Sequence, residues 1–196
     1  MSNNIDLHTQ IVLKLLNALD SEPIEGKIKF QKIAFMVLRN FPEIFEFFDF
    51  KPHKFGPYSE PLDCTLEEVN NKHEAHIEKE TMEITDQGKE KLTELDSVME
   101  LSEKEKKNKE MIDKAIDSIK EEFRNFNSDE ILAFIYKSDP DYISDSIVAD
   151  KIDYGKVFLG LYEKGELGIS KIAELLGWDL EKAYEFIKQN TKLHIL

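Results

Sequence analysis

Apolar side chains recur along this chain mostly at helical spacing, and only in two short stretches at the two-residue spacing of a strand. Ile11, Val12, Leu15, Leu16 and Leu19 share one face and predict a helix from about His8 to Leu19. Pro23 and Gly26 break the connection at 21–26. Phe30, Ile33, Ala34, Val37, Leu38 and Phe41 fall at i, i+3, i+4, i+7, i+8 and i+11, which predicts a second helix over Lys27–Asn40 with one buried face. Pro42 ends it or turns the chain.

The pattern then changes. Phe45, Phe47, Phe48, Phe50 and Phe55 make an aromatic-rich segment, read as a short edge strand around Phe48–Phe55, because Pro52 cannot donate to a ladder. Gly56-Pro57 is a turn, and Ser59 caps a helix with Pro61 in its first turn, running to about Asn70. His76-Ile77-Glu78 and Met82-Glu83-Ile84 alternate polar and apolar and predict two strands joined at residues 79–81. Thr85 caps the next helix. Residues 97–109 are charge-dense and read as a solvated helix or linker. Met111 or Ile112, with Ile116, Ile119 and Phe123, restores a buried face. Ser128 is the expected cap of a helix through Tyr136, and Asp139-Pro140-Asp141 is a turn.

Three helices close the chain, at about Tyr154–Lys164, Ser170–Leu176 and Leu180–Gln189. The last two read as a helix-turn-helix. Ala173 and Ala183 are small enough for two helices to cross closely, and Gly177 suits a turn with positive φ. Ser170 and Asp179 are the expected caps, and Ile172, Leu176, Leu180, Phe186 and Ile187 the expected core. If this pair binds duplex DNA, its second helix enters the major groove. The candidate contact residues are then Ser170, Lys171, Glu181, Lys182, Glu185 and Lys188. Two of them are carboxylates, and the set has no arginine for bidentate contact with guanine.

Three segments carry resemblances. Residues 162–177, from Tyr162 to Gly177, resemble the small UPF0175 antitoxin-like family over less than a quarter of the chain. Lys29-Phe30-Gln31-Lys32-Ile33-Ala34-Phe35 and Lys54-Phe55-Gly56-Pro57-Tyr58-Ser59 resemble the Leu-Gln-Lys helix and aromatic-Gly-Pro turn of YwgA-type proteins and, more distantly, of the Panacea (SocA-like) antitoxin domain. Phe30 stands where those families favour leucine. Ile131–Tyr142 is similar to a downstream helix of the YwgA-like proteins. These resemblances imply a winged-helix-like N-terminal domain and a toxin-neutralising or adaptor role. Phe55, Gly56, Pro57 and Tyr58 are accordingly a candidate partner-binding surface, with an aromatic side chain beside a rigid turn. The other reading of this turn is structural, with Tyr58 half-buried.

Charge narrows the picture. The net charge is −14. Residues 1–100 carry 11 basic and 20 acidic side chains, residues 101–150 carry 8 and 13, and residues 151–196 carry 7 and 7. An acidic surface repels phosphate, so the neutral C-terminal segment is the least unfavourable place for DNA. The single cysteine, Cys64, excludes an intrachain disulfide and reads as a buried, inert thiol in a cytoplasmic protein. No apolar run is long enough to span a bilayer, and the N-terminus lacks a signal-peptide layout. His73 and His76 do not make a zinc pattern, so neither a metal nor a cofactor is expected, and no nucleophile or nucleotide motif indicates an enzyme.

The expected protein is mainly α with a small β-wing: a winged-helix-like domain at 1–98, a helical connector at 99–150 and a helix-turn-helix module at 151–196. The expected function is that of a regulatory binding protein, either a transcriptional regulator or antitoxin-like. The alternative is an acidic adaptor or toxin-neutralising module without DNA binding. The expected partners are duplex DNA or a protein such as a toxin. The expected assembly is a homodimer, with the helix near Glu103–Phe123 as its contact.

Overall fold

The computed structural model describes residues 2–19, 26–79, 81–98, 103–123 and 125–191. The connection at 21–25 and the start of the charge-dense run, at 99–102, lie outside them. The described residues form ten α-helices and one two-stranded antiparallel sheet. The helices are α1 Ser2–Leu19, α2 Gly26–Leu38, α3 Pro42–Phe48, α4 Glu60–Asn71, α5 Asp86–Val98, α6 Glu103–Phe123, α7 Ser128–Ser138, α8 Tyr154–Glu163, α9 Ile169–Leu176 and α10 Leu180–Asn190. The strands are β1 Ala75–Ile77 and β2 Met82–Ile84. The chain divides into two compact units, residues 1–51 with 57–121, and residues 52–56 with 122–196.

In the first unit α2 is covered on all sides from Phe30 onward, while Ile28 in its first turn is exposed. Phe30 through Leu38 are buried without interruption, including Gln31 and Lys32. A helix without a polar face belongs in the middle of a core rather than on its rim, so the expected single face is exceeded here. Ile11, Val12, Leu15 and Leu16 of α1 and Leu62, Leu66 and Val69 of α4 complete the core. Ile112, Ile116 and Ile119 bury one face of α6, and it is Ile112, not Met111, that lies in that face. Lys14 on α1 and Asp113 on α6 form an ion pair at 2.6 Å.

The expected edge strand at Phe48–Phe55 is not formed. Pro42 opens α3 instead, with Ile44 and Phe48 inward at i and i+4, and Asp49 ends it in the left-handed region at φ 43°. Phenylalanine favours strands only where a pleated surface exists to receive it. Here Phe45 and Phe50 stack on each other and meet Phe35 edge-on, and Phe48 packs on Phe50. Extended pairing is reduced to one bridge, in which Lys51 and Tyr58 exchange both backbone hydrogen bonds, at 2.8 and 3.0 Å.

The hairpin forms in the expected place. Ala75 pairs with Ile84, His76 with Glu83 and Ile77 with Met82. Ala75, Met82 and Ile84 face the core, while His76 and Glu83 face solvent. Thr85 caps α5, its hydroxyl accepting from Gly88 N–H at 3.1 Å.

In the second unit Asn127, not Ser128, caps α7. Its side chain accepts from Asp129 and Glu130 N–H, and Glu130 accepts from the Asn127 N–H in a capping box. Lys164 at the end of α8 pairs with Glu130 at 2.7 Å. Phe123, Phe126 and Phe134 pack edge to face. Asp139-Pro140-Asp141 opens a short 3₁₀ turn, Pro140–Ile143, and a second spans Ala149–Lys151.

Candidate interaction surface

The last three helices assemble from local signals. Asp153 caps α8 by accepting from Lys156 N–H at 3.0 Å, and Asp179 caps α10 by accepting from Lys182 N–H at 2.7 Å. The expected cap at Ser170 is not made. Gly168 stands at the N-cap of α9 without a side-chain bond, and Ser170, the second residue of the helix, is exposed. Gly177 ends α9 at φ 65°, and Trp178 N–H donates to Ala173 C=O at 2.9 Å across the turn. That six-to-one bond and the left-handed glycine reverse the chain within three residues.

Ala173 and Ala183 are buried where α9 and α10 meet, with Ile172, Leu175 and Ile187 around them. The expected core therefore needs correction at two positions. Leu175 is buried in place of Leu176, which is half-buried, and Leu180 is 57% exposed. Phe186 is half-buried, edge-on to Trp178 at 5.2 Å. As the first residue of α10, Leu180 precedes the turn that meets α9, so its periodicity points inward while its position does not.

The six candidate contact residues all lie on α9 and α10. Lys171 pairs with Glu174 at 2.7 Å and lies 5.4 Å from the Phe134 ring. The Lys182 ammonium sits 4.6 Å from the Trp178 ring. Lys188 lies 3.9 Å from Glu185 and 5.9 Å from the Tyr184 ring. Glu181 and Ser170 are exposed. Lys171 and Lys188 each lean on a ring and a carboxylate, and Lys182 on a ring alone. The exposed face of α10 presents Leu180 and Tyr184, one turn apart, beside Glu181 and Glu185. Leu180 is expected in the core and Tyr184 carries no expectation; their i, i+4 spacing is the signal in the sequence that places the two on one exposed face.

The second candidate set separates on folding. Gly56, at φ 100°, and Pro57 are buried. Tyr58 is half-buried, and its hydroxyl lies 3.4 Å from Asp63 Oδ2. Burial first, and then the Asp63 charge, push its pKa up. The exposed aromatic is Phe55, at 44%. One residue before it, Lys54 C=O accepts from the N–H of Ile147, itself 51% exposed. Cys64 is exposed, contrary to the buried thiol expected, because α4 turns Leu62, Thr65 and Leu66 inward and leaves residue 64 outside. Among the described residues no three His, Cys, Asp or Glu side chains converge as ion ligands, and no helix is long and apolar enough to cross a membrane.

No protein-family model, curated protein or solved structure matches this chain.

Proposed function

We propose that this chain is a regulatory binding protein of the antitoxin-like kind, a winged-helix-like unit followed by a C-terminal helix-turn-helix, that acts by contact with another protein. The exposed face of α10 carries the reading. Leu180 and Tyr184 offer an aliphatic and an aromatic anchor a turn apart, and Glu181 and Glu185 give their rim a negative component. Aromatic anchors of this type supply much of the binding energy at protein interfaces. On a helix lying in the major groove, the same carboxylates repel phosphate. The order of helices and hairpin between α1 and α5, and the resemblances to antitoxin-type families, support the same class.

The test has two arms. Labelled random duplex at low salt is expected to show no anisotropy change at micromolar protein, where nonspecific contact appears first. Affinity purification from the native host is expected to recover a stable protein partner with the natural chain and to lose it with Leu180→Glu/Tyr184→Glu. Recovery of the same partner by both chains would remove α10 from the interface.

A second reading is a transcription regulator that contacts duplex DNA as a homodimer through α10. The glycine turn at Gly177 and the close crossing at Ala173 and Ala183 favour it, because that geometry presents the start of a second helix outward. Salt-dependent duplex binding weakened by Lys182→Ala and Lys188→Ala would select this reading over the first.

A further inference from the structure

The second unit contains a cavity of about 390 Å³ between α7, the Ala149–Lys151 turn and the start of α8. Leu132 is its buried wall, and Val148, Ile152 and Val157 are half-buried beside it. Four charged side chains stand around the mouth: Asp129, Asp153, Lys151 and Lys156. The volume falls in the range of small-molecule sites, which are apolar with a few polar groups that fix orientation.

The four charges are not equivalent. Asp153 is committed to its helix, its carboxylate capping α8 through the Lys156 N–H. Asp129 lies in the first turn of α7, where a negative charge complements the unpaired N–H groups. Both aspartates are thus explained by the helices they begin. The lysines are not. Among the described residues neither ammonium has a carboxylate or aromatic partner, although the lysines of α9 and α10 nearby in sequence all have one. Lys156 is also the third residue of α8, where the helix dipole disfavours a cation. Its placement weakens the helix, and an anion held between Lys151 and Lys156 would offset that.

We propose that this cavity binds a small aliphatic carboxylate, with its hydrocarbon against Leu132, Val148, Ile152 and Val157 and its carboxylate between the Lys151 and Lys156 ammonium groups. This site is separate from the α10 surface and stands whether the macromolecular partner is protein or DNA. The probe is sodium hexanoate, titrated into the full chain with methyl groups observed by NMR, against hexylamine and hexanol. Hexanoate is expected to give saturable millimolar shifts at the four named side chains, hexanol weaker shifts at the same places and hexylamine none. Lys151→Ala/Lys156→Ala is expected to weaken hexanoate about tenfold and leave hexanol unchanged. Both lysines are exposed, so the variant retains the fold, which the unchanged methyl spectrum away from the cavity verifies. Shifts that do not saturate, that scatter over the surface, that hexylamine reproduces, or that persist unweakened in the double variant overturn the proposal.

Discussion

Gln31 and Ser59 bond each other in both directions. The Gln31 side-chain N–H donates to Ser59 C=O at 3.0 Å, and Ser59 N–H donates to Gln31 Oε1 at 3.0 Å. Both residues are buried, and the Ser59 hydroxyl is itself committed, donating to Phe48 C=O and accepting from Leu62 N–H. Gln31 belongs to the Lys29–Phe35 segment and Ser59 closes the aromatic-Gly-Pro turn. The two short motifs, 28 residues apart, therefore meet as one polar joint inside an apolar core.

Replacing Gln31 by leucine keeps the volume and strands the Ser59 N–H, while Ser59 C=O keeps the bond it accepts from Asp63 N–H at 3.1 Å. An unsatisfied buried group costs about 1–3 kcal/mol, so Gln31→Leu is expected to lower stability by about 2 kcal/mol. Ser59→Ala removes a helix cap and a buried bond and is expected to cost about 2 kcal/mol. Urea unfolding followed by circular dichroism measures both. A Gln31→Leu loss below about 0.5 kcal/mol would show that the joint does not hold the core.

This joint marks what the sequence made legible and what it did not. Local chemistry could be read directly: the alternation at 75–84, the caps at Thr85 and Asp179, and the left-handed turn at Gly177 all depend on neighbours within a few residues. One departure comes from a distant contact: the segment around Phe45 and Phe50 is helix and loop because those two rings meet Phe35, which no local pattern reveals. Two others are local. Leu180 has the period of a core residue but lies too early on α10 to reach α9. Asn127 and Ser128 are both good caps, and Glu130, three residues after Asn127, decides between them by closing the box.

Gly88→Ala should reverse a familiar rule. In most helices this change stabilises by up to about 1 kcal/mol. At Gly88 the added Cβ lies 1.9 Å from Glu74 C=O and 2.8 Å from Ile84 Cγ1. The start of α5 must then leave the hairpin. The expected result is a loss of more than about 2 kcal/mol, with amide exchange accelerated first in β1 and β2. A stabilised variant would contradict the close approach.

Glu74 is buried, one of its carboxylate oxygens has no partner, and desolvation raises its pKa above 4.5, with Lys72 and Lys91 opposing. A raised folded pKa means that its contribution to stability is complete below the unfolded value and is lost as pH rises through the folded one. Glu74→Gln is therefore expected to be more stable than the natural chain at pH 7 and equal to it near pH 4. A stability difference that does not change with pH would exclude this account.

His8 gives the opposite slope. Its ring lies 4.7 Å from Phe48, and its Nε2 is buried without a partner. Burial lowers its pKa below 6.5, only partly countered by a hydrogen bond with the Phe47 backbone and by the charge of Glu68. The depressed folded value makes its contribution complete above 6.5 and lost as pH falls through the folded pKa. Urea midpoints are expected to drop between pH 7.5 and pH 5.5 in the natural chain, and to drop less in His8→Leu. Equal drops in the two chains would assign the dependence to other groups.

Gly177 tests the helix pair itself. A Cβ added there meets nothing within 4 Å, so any cost of Gly177→Ala comes from the backbone at φ 65°. A non-glycine residue in the left-handed region costs about 1–2 kcal/mol, and asparagine less than alanine. Gly177→Ala is expected to lose about 1 kcal/mol and Gly177→Asn about half of that. Faster amide exchange in both variants should appear first in α9 and α10, the two helices that the turn joins. If the two variants match the natural chain, the left-handed turn does not hold α9 and α10 together, and the outward placement of Leu180 and Tyr184 loses its cause.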